Sequence, residues 1–208
     1  MITTYEQKLA RDPRWALLQG SMHFEGRSMV YDALHRITAR LRELNIPHAV
    51  VGGMALSLHG YHRFTDDIDI LVTRSGLEEI HKRLEGLGYV PPFEGSKNLR
   101  DTELRVKIEF LVTGEYPGDG KPKPVAFPDP SAVVTEIAGI PCVNLKTLIE
   151  LKLASGMSGI ERAQDIGDVV NLTKRLRLPR DFADQLNPYV RPKFEEIWDG
   201  IHWDAPLE

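Results

Sequence analysis

Cysteine is almost absent from this chain of 208 residues, in which Cys142 is the one thiol. A single cysteine excludes an internal disulfide and a metal site built on a cysteine cluster. Cys142 stands in the apolar run 140–143, which predicts a buried packing residue rather than a nucleophile. The scarcity of thiols suits a reducing compartment, so we expect a cytoplasmic protein.

Long apolar runs are lacking as well. No stretch approaches the roughly 18 apolar residues that a membrane-spanning helix needs, and no apolar run behind a basic start predicts a secretory signal. We therefore expect no membrane partner. An excess of one charge is also lacking, since the net charge of -4 gives no indication of a nucleic-acid binder. With 42% hydrophobic and 27% charged residues, the composition is typical of a soluble globular domain.

What is present is an apolar periodicity that predicts an α/β (α+β) fold. Val30, Leu34, Ile37 and Leu41 follow helical spacing, and the stretch 104–112 alternates as a half-buried strand does. Further predicted elements are strands at 48–51 and 68–72, helices at 54–59, 77–87 and from 144 onward, a hairpin within 133–143 and a long loop over 114–131. We expect a small mixed β-sheet flanked by helices, with an N-terminal arm or short helix over 1–27, a core over 28–143 and a C-terminal helical region over 144–208.

Two aspartates, Asp67 and Asp69, alternate with isoleucines in the second predicted strand. Because successive side chains of a strand face opposite sides, both carboxylates project to the same face. Their mutual repulsion favours a bound cation, and Mg²⁺ with oxygen ligands is the usual ion beside substrate phosphates. The same spacing is also typical of a solvated strand edge. We expect the neighbouring Asp66 to cap a turn and to point away from the pair.

Other candidate site residues surround this pair. Gly52 and Gly53 predict a tight turn whose backbone N–H groups, free of a Cβ, could seat a phosphate. Ser57, one turn further, is a candidate hydroxyl donor or a packing residue. Glu109 lies on the polar face of the 104–112 strand and is the candidate third carboxylate, as a metal ligand and a general base, if the two strands pair. It is otherwise a surface residue, and Lys107 on the same face would pair with a neighbouring acid.

The order of an apolar residue, Gly52-Gly53, a spacer and Asp67-Ile68-Asp69-Ile70 resembles the nucleotidyltransferase (DNA polymerase β-like) superfamily. Inclusion of Ala55, Arg63 and Thr65 makes the string similar to the minimal AbiEii-type group of toxin–antitoxin and abortive-infection systems. Lys152 followed by Arg162-x-x-Asp165-x-x-Asp168 is similar to the helical segment of that group. The resemblance covers patches of 47–172. Glu109 departs from it, because the superfamily more often has an aspartate there.

This resemblance implies a nucleotidyltransferase fold and transfer of a nucleoside monophosphate from an NTP to an acceptor hydroxyl. Its catalytic residues would be Asp67, Asp69 and Glu109, which would hold one or two Mg²⁺ ions. The implied nucleotide-binding residues are Gly52, Gly53, Ser57, Arg63, Lys152 and Asp168, with Asp165 or Asp168 positioning Lys152 or the acceptor. The implied acceptor is a tRNA, a protein or an antibiotic, and a toxin would have an antitoxin protein as its partner.

Different interpretations of the same residues stay open. The chain could be a catalytically inactive nucleotide-binding or interaction module, or a metal-dependent phosphohydrolase, although the latter lacks its usual His-Asp cluster. Arg162 and Asp165 have the spacing of an ordinary helix surface pair, and Lys152 is open to the same interpretation. His59 and His62 are expected to be loop or cap residues, and Trp198 and Trp203 are expected to be packing anchors.

Overall fold

The computed structural model describes residues 3–203. The helices are α1 (Tyr5–Arg11), α2 (Pro13–Phe24), α3 (Met29–Glu43), α4 (Gly52–Leu58), α5 (Arg74–Leu84), α6 (Pro130–Val133), α7 (Leu145–Gly156), α8 (Ala163–Leu176) and α9 (Arg191–Gly200). The strands are β1 (His48–Val50), β2 (Asp67–Val72), β3 (Tyr89–Val90), β4 (Leu99–Asp101), β5 (Lys107–Val112), β6 (Val134–Ile137) and β7 (Ile140–Val143). Short 3₁₀ segments occupy Ile160–Arg162 and Arg180–Gln185.

The strands form one seven-stranded sheet in the order β3-β4-β5-β2-β1-β7-β6. Its centre is the parallel pair β2 and β5, and β1 runs antiparallel to β2 but parallel to β7. The predicted hairpin is β6 and β7, and it closes one edge of the sheet. The predicted fold class, a mixed sheet flanked by helices, is confirmed.

The two faces of the sheet are covered by different helices. On one face, Ile70 of β2 and Phe110 of β5 belong to an apolar cluster that includes Ile37 of α3 and Ile80 of α5. On the other face, Leu71 belongs to a cluster with residues of α4, α7, α8 and α9. The C-terminal helices therefore share a core with the sheet. Within residues 3–203, no helix has both the length and the apolarity to cross a membrane.

The structure of the N-terminal segment is more extensive than the single short helix or arm that we expected. It consists of α1 and α2, and the ring of Tyr5 is 1% exposed and meets Trp15 edge-on at 5.2 Å between ring centroids. Glu6 of α1 also accepts a hydrogen bond from Arg100 of β4, 2.6 Å from Nη2. These contacts attach both helices to the sheet.

Three local expectations can be compared directly with the structure. Cys142 is fully buried, and burial raises the pKa of its thiol to about 12, which confirms a packing role. Trp198 and Trp203 pack against the core cluster and against each other, with ring centroids 5.2 Å apart, as predicted. The helix expected from residue 54 begins two residues earlier, so Gly53 lies in the first turn of α4, while Gly52 has a turn-like φ of 62° where the chain passes from β1 into that helix.

A buried histidine makes the stability of this fold dependent on pH. His48 contacts the Ile46 carbonyl through Nδ1 at 2.8 Å, so Nδ1 carries the proton, while the buried Nε2 has no partner among the described atoms. Burial lowers its pKa below the ordinary value. The folded state therefore disfavours protonation of His48, whereas in the unfolded chain His48 takes up a proton at about pH 6.5.

We expect the stability advantage of the wild type over His48→Gln to be smaller at pH 5 than at pH 7.5, by on the order of 1 kcal/mol. Urea denaturation at both pH values measures it. The comparison with the variant removes the contribution of every other titrating group. An advantage that grows at pH 5 would contradict the lowered pKa.

Candidate active site

Asp67 and Asp69 project from the same face of β2. The isoleucines between and after them, Ile68 and Ile70, are fully buried on the opposite face, as the alternation predicted. Thr65 donates a hydrogen bond from Oγ1 to Oδ1 of Asp67 at 2.9 Å. The carboxylates thus stand on a rigid central strand, and one of them is oriented by a neighbouring hydroxyl.

Glu109 lies beside this pair because β5 is the parallel neighbour of β2. The register places Glu109 opposite Asp69 and Lys107 opposite Asp67. The strand pairing on which the choice of Glu109 depended is therefore present. Lys107 forms an ion pair with Glu109, which is the pairing with a neighbouring acid that we expected of this lysine.

The electrostatics of this face favour a cation. Burial, followed by the charges of Asp67 and Glu109, raises the pKa of Asp69 to about 7. Burial also raises the pKa of Asp67, with a further increase from Asp66 and Glu109 against the hydrogen bond from Thr65. Asp66 is among the residues that line the same cavity as the pair, but burial and the charge of Asp66 also raise the pKa of Tyr5 on the other side of the sheet, so its pointing away from the pair stays a prediction. Carboxylates that are costly to ionise are the groups that a divalent ion stabilises.

The side chains are not yet arranged as a complete ligand set. Within residues 3–203, no group of three or more His, Cys, Asp or Glu side chains stands in a position to hold a metal ion. Glu109 is engaged by Lys107 and Asp67 by Thr65. The donor chemistry of the three carboxylates fits Mg²⁺, which takes oxygen ligands, but ligation requires Glu109 to exchange Lys107 for the ion. The metal role of all three stays a prediction.

The two glycines provide space for site residues. A Cβ on Gly52 would lie 1.8 Å from Oδ2 of Asp69, and one on Gly53 would lie 2.9 Å from Cβ and Oγ1 of Thr65. Gly52 also has a φ of 62°, a left-handed conformation that side chains disfavour. In this structure the space left by each absent Cβ is therefore occupied by Asp69 or Thr65. A role of these glycines in seating a phosphate stays a prediction.

The C-terminal helices bring a buried network of charges to the same place. Nζ of Lys152 on α7 lies 2.6 Å from Oδ1 of Asp165 and 2.8 Å from Oδ2 of Asp168, both on α8. Arg63 holds the same Asp168 with two hydrogen bonds, at 2.9 Å from Nε and 3.2 Å from Nη2. Asp165 further accepts from Ser155 at 2.6 Å. Asp165 is therefore part of this network, and its interpretation as half of a surface pair with Arg162 is wrong.

Two cavities meet at these residues. The larger, of about 570 Å³, is mainly apolar, whereas the second, of about 430 Å³, is lined almost wholly by polar groups. Both are lined by Asp69, Glu109, Lys152, Arg162 and Asp165. Gly52 lines the apolar cavity, and Gly53, Arg63 and Asp67 line the polar one. The carboxylates and Lys152 thus stand at the junction between an apolar and a polar compartment.

Two predicted or considered residues, Ser57 and His59, do not line the two cavities, and two residues near the carboxylates and Lys152 were not predicted. Ser57 is 3% exposed and lines neither cavity, which favours its alternative interpretation as a packing residue. His59 contacts the Val143 carbonyl at 2.8 Å, which is a structural contact. Ser155 was missed, although it follows Lys152 by three positions, a spacing that places both on one helix face. The contact of Thr65 with Asp67 was also missed, although a spacing of two residues places both side chains on the same side of an extended segment.

We expect Asp168→Ala to destabilise the fold strongly, because its side chain is 2% exposed and balances two cations. Loss of such a partner costs about 3–5 kcal/mol, which urea denaturation would measure. Asp199→Ala is the matched control, since Asp199 accepts a similar two-bond contact from Arg180 but is 54% exposed. Its loss should cost far less, because solvent screens the exposed pair. Equal losses in the two variants would show that the Asp168 network is not effectively buried.

The fold and this face define a protein of the nucleotidyltransferase class, with paired carboxylates on a central strand of a mixed sheet. The chain belongs to the family described as "Uncharacterised nucleotidyltransferase", whose pattern it matches over residues 5–140. That match includes the N-terminal helices, which lie outside the sequence resemblance. No curated protein matches the chain.

Solved structures with similar folds are also nucleotidyltransferases or related proteins. The crystal structure of ANT(2")-Ia in complex with adenylyl-2"-tobramycin has 17% identity and a TM-score of 0.53, and the match covers 80% of this chain and 97% of that one. A solution structure of ANT(2")-Ia has 16% identity, coverage of 79% and 88%, and a TM-score of 0.48. A nucleotidyltransferase-like protein from Paracoccidioides brasiliensis has 15% identity, coverage of 68% and 73%, and a TM-score of 0.44. The first of these likenesses supports the fold assignment.

Proposed function

We propose that the chain transfers a nucleoside monophosphate from an NTP to an acceptor hydroxyl and releases pyrophosphate. The observation that carries this proposal is the position of Asp69 and Glu109, side by side on parallel strands at the junction of two cavities. Two compartments that meet at one group of carboxylates suit a reaction between two substrates. Membership of the nucleotidyltransferase family supports the same reaction type.

In this proposal each charged group has a separate task. Asp67 and Asp69 would hold Mg²⁺, which would stabilise the negative charge that develops on the phosphoryl oxygens. Glu109, once released from Lys107, takes the proton of the acceptor hydroxyl. Lys152 contacts the phosphates as a point charge. Asp168 is buried and holds Lys152 and Arg63 in place, so we assign it a positioning role rather than a contact with the nucleotide.

The acceptor is a hydroxyl of a tRNA, a protein or an antibiotic. ANT(2")-Ia, which has the same fold, was solved with an adenylylated tobramycin, so aminoglycosides belong among the acceptors to test. The AbiEii-type resemblance leads us to propose a toxin role with an antitoxin protein as partner. Growth arrest on expression, relieved by Asp69→Ala, would support that role, whereas arrest that persists in the variant would argue against it.

The decisive experiment measures transfer of label from each of four α-³²P-labelled NTPs in the presence of Mg²⁺. The acceptors offered are total tRNA, cell protein and aminoglycosides, and the proteins are wild type, Asp69→Ala and the remote Asp199→Ala. We expect transfer with wild type and Asp199→Ala and its loss in Asp69→Ala. Equal transfer by all three proteins would refute the assignment. Release of phosphate rather than pyrophosphate would indicate a phosphohydrolase.

A catalytically inactive nucleotide-binding or interaction module is the second candidate function. It is favoured by the pairing of Glu109 with Lys107, which leaves the carboxylates short of a complete ligand set. Calorimetry separates the two functions. An inactive module would bind NTP equally well with Mg²⁺ or EDTA and show no turnover, whereas the enzyme should need Mg²⁺ for tight binding.

A further inference from the structure

The face of the sheet that carries the carboxylates changes character along its strands. On β5, Glu109 and Leu111 point to the same face, and on β2 Asp69 and Leu71 do so. Leu71 and Leu111 belong to the apolar cluster on this side of the sheet. Over two positions of each central strand, this face of the sheet therefore changes from charged to apolar. A ligand that lies along these strands must have one apolar end and one end that binds the charged group, through a cation held by the carboxylates or through Lys152.

The apolar cavity begins where this change occurs. It takes in Asp69, Glu109 and Lys152 at one end, and Leu111, Phe127, Leu148 and Leu151 form its apolar wall. Its volume of about 570 Å³ lies within the range of roughly 300–1,000 Å³ that is typical of small-molecule sites. Lys152 and Arg162 also line this cavity. Its chemistry therefore matches a planar ring attached to a chain of phosphates.

The long loop that follows β5 lines one side of this cavity, and hydrogen bonds join the two ends of the loop. Gly114 donates to the Phe127 carbonyl at 2.9 Å, and Phe127 donates to the Glu115 carbonyl at 2.8 Å. In the middle of the loop, Gly118 lies so close to the end of α7 that a Cβ there would be 2.2 Å from Oγ of Ser158 and 3.0 Å from the backbone of Ser155. The wall is therefore already in place before a ligand binds.

We propose that the cavity lined by the 114–127 loop binds the nucleoside half of the NTP, and that the acceptor enters through the polar cavity. This inference rests on the proposed transferase function. The triphosphate would then cross the junction at Asp69 and Lys152, with its α-phosphate facing the polar compartment. The loop, which the family resemblance does not cover, would be the part of the chain that contacts the base.

The first test obstructs the cavity. Leu111→Trp adds a ring to the apolar wall and should raise the Kd for the preferred NTP by at least about tenfold. Isothermal titration with inorganic tripolyphosphate, which has no nucleoside, should give the same Kd for variant and wild type. Leu87→Trp, at a surface position that is 68% exposed, is the matched control and should bind NTP as the wild type does. Thermal melts of all three proteins report whether they are folded.

The second test displaces the loop without changing the wall. The Cβ added by Gly118→Ala would overlap the end of α7. The Cβ added by Gly120→Ala, in the same loop and also at positive φ, has nothing within 4 Å. Gly118→Ala should therefore raise the KM for NTP severalfold more than Gly120→Ala does, and it should leave the KM for the acceptor unchanged.

Two results would overturn this inference while leaving the transferase function intact. One is an unchanged Kd for NTP in a folded Leu111→Trp protein that still transfers label. The other is an increase in the KM for the acceptor alone, which would place the acceptor in the apolar cavity. A wild-type protein that binds none of the four NTPs would overturn the proposed function and this inference with it.

Discussion

Asp69→Asn is expected to abolish transfer and, at the same time, to make the folded protein more stable. Asparagine keeps the shape of the side chain beside Gly52 but removes the negative charge. If Asp69 holds the ion that stabilises the phosphoryl charge, its loss removes several kcal/mol of transition-state stabilisation, or at least about 1,000-fold in rate. Steady-state transfer of label at saturating NTP measures this effect.

The gain in stability follows from the pKa of the same group. The Asp69 carboxyl titrates at about 7 in the folded protein and near 4 in the unfolded chain. Above pH 7 it is ionised in both states, so the folded state carries the full cost of its buried charge. As the pH falls from 7 to 4, the folded carboxyl takes up a proton and the cost disappears. Asp69→Asn should therefore be more stable than the wild type at pH 8, by about 2 kcal/mol, and lose this advantage by pH 4.

Thermal melts with and without Mg²⁺ provide the control for this prediction. Mg²⁺ should raise the Tm of the wild type, because an ion that binds only the folded state stabilises it, and it should not raise that of Asp69→Asn. Glu161→Gln removes a charge from an exposed residue that lines the polar cavity. It should change neither the stability at pH 8 nor the increase in Tm that Mg²⁺ causes. A variant that is less stable than the wild type at pH 8 would contradict the raised pKa.

Loss of transfer together with a gain in stability would identify the carboxylates as a site kept for function. Residues selected for stability alone would not place Asp67, Asp69 and Glu109 on neighbouring strands of one half-buried face. The cost is partly offset by Lys107 and by the hydrogen bond from Thr65. A charged cluster that the fold tolerates at a cost in stability is typical of a site for a ligand rather than of a packing feature.

The parts of this site that sequence reasoning reached are those with a local signature. Alternation alone placed Asp67 and Asp69 on one face, whereas Lys152, Asp165 and Asp168 were reached through the resemblance of their helical segment to that of a known family. Glu109 needed one further assumption, that β5 is the neighbour of β2, since the two strands are separated by α5 and two short strands. That assumption concerns strand order, which no local pattern contains.

The parts that sequence reasoning did not reach depend on contacts between distant segments. The second N-terminal helix is only weakly amphipathic. The contacts that attach the first to the sheet, from Tyr5 to Arg105 and from Arg100 to Glu6, join segments that are distant in the sequence. The loop over 114–127 has the composition of a surface connection, yet its docking on α7 makes it a cavity wall. The pairing of Arg63 with Asp168 joins positions 105 residues apart. Such contacts are fixed by the folded topology and carry no periodic signal.

Gly52→Ala is expected to have the largest effect of any single methyl group added to this chain. The new Cβ would overlap Oδ2 of Asp69 at 1.8 Å and would stand on a residue with a φ of 62°. The left-handed conformation alone costs about 1–2 kcal/mol, and the overlap must move Asp69 as well. A shift of about 1 Å in a group that positions a reacting phosphate costs roughly 100-fold in rate. We therefore expect both a lower Tm and a loss of transfer of at least that size.

Two other glycines and one double variant separate the causes of this effect. Gly26→Ala has a similar φ of 70° with nothing within 4 Å, so it should show the conformational cost without the loss of transfer. Gly167→Ala, inside α8 and also in open space, should stabilise the protein slightly. In the Asp69→Ala background the carboxylate that collides is gone, so Gly52→Ala should cost less there, by at least about 1 kcal/mol of coupling energy. Additive costs would mean that glycine is required at position 52 only for its backbone conformation. Coupled costs would mean that glycine is also required because a side chain there would displace the Asp69 carboxylate from the start of α4.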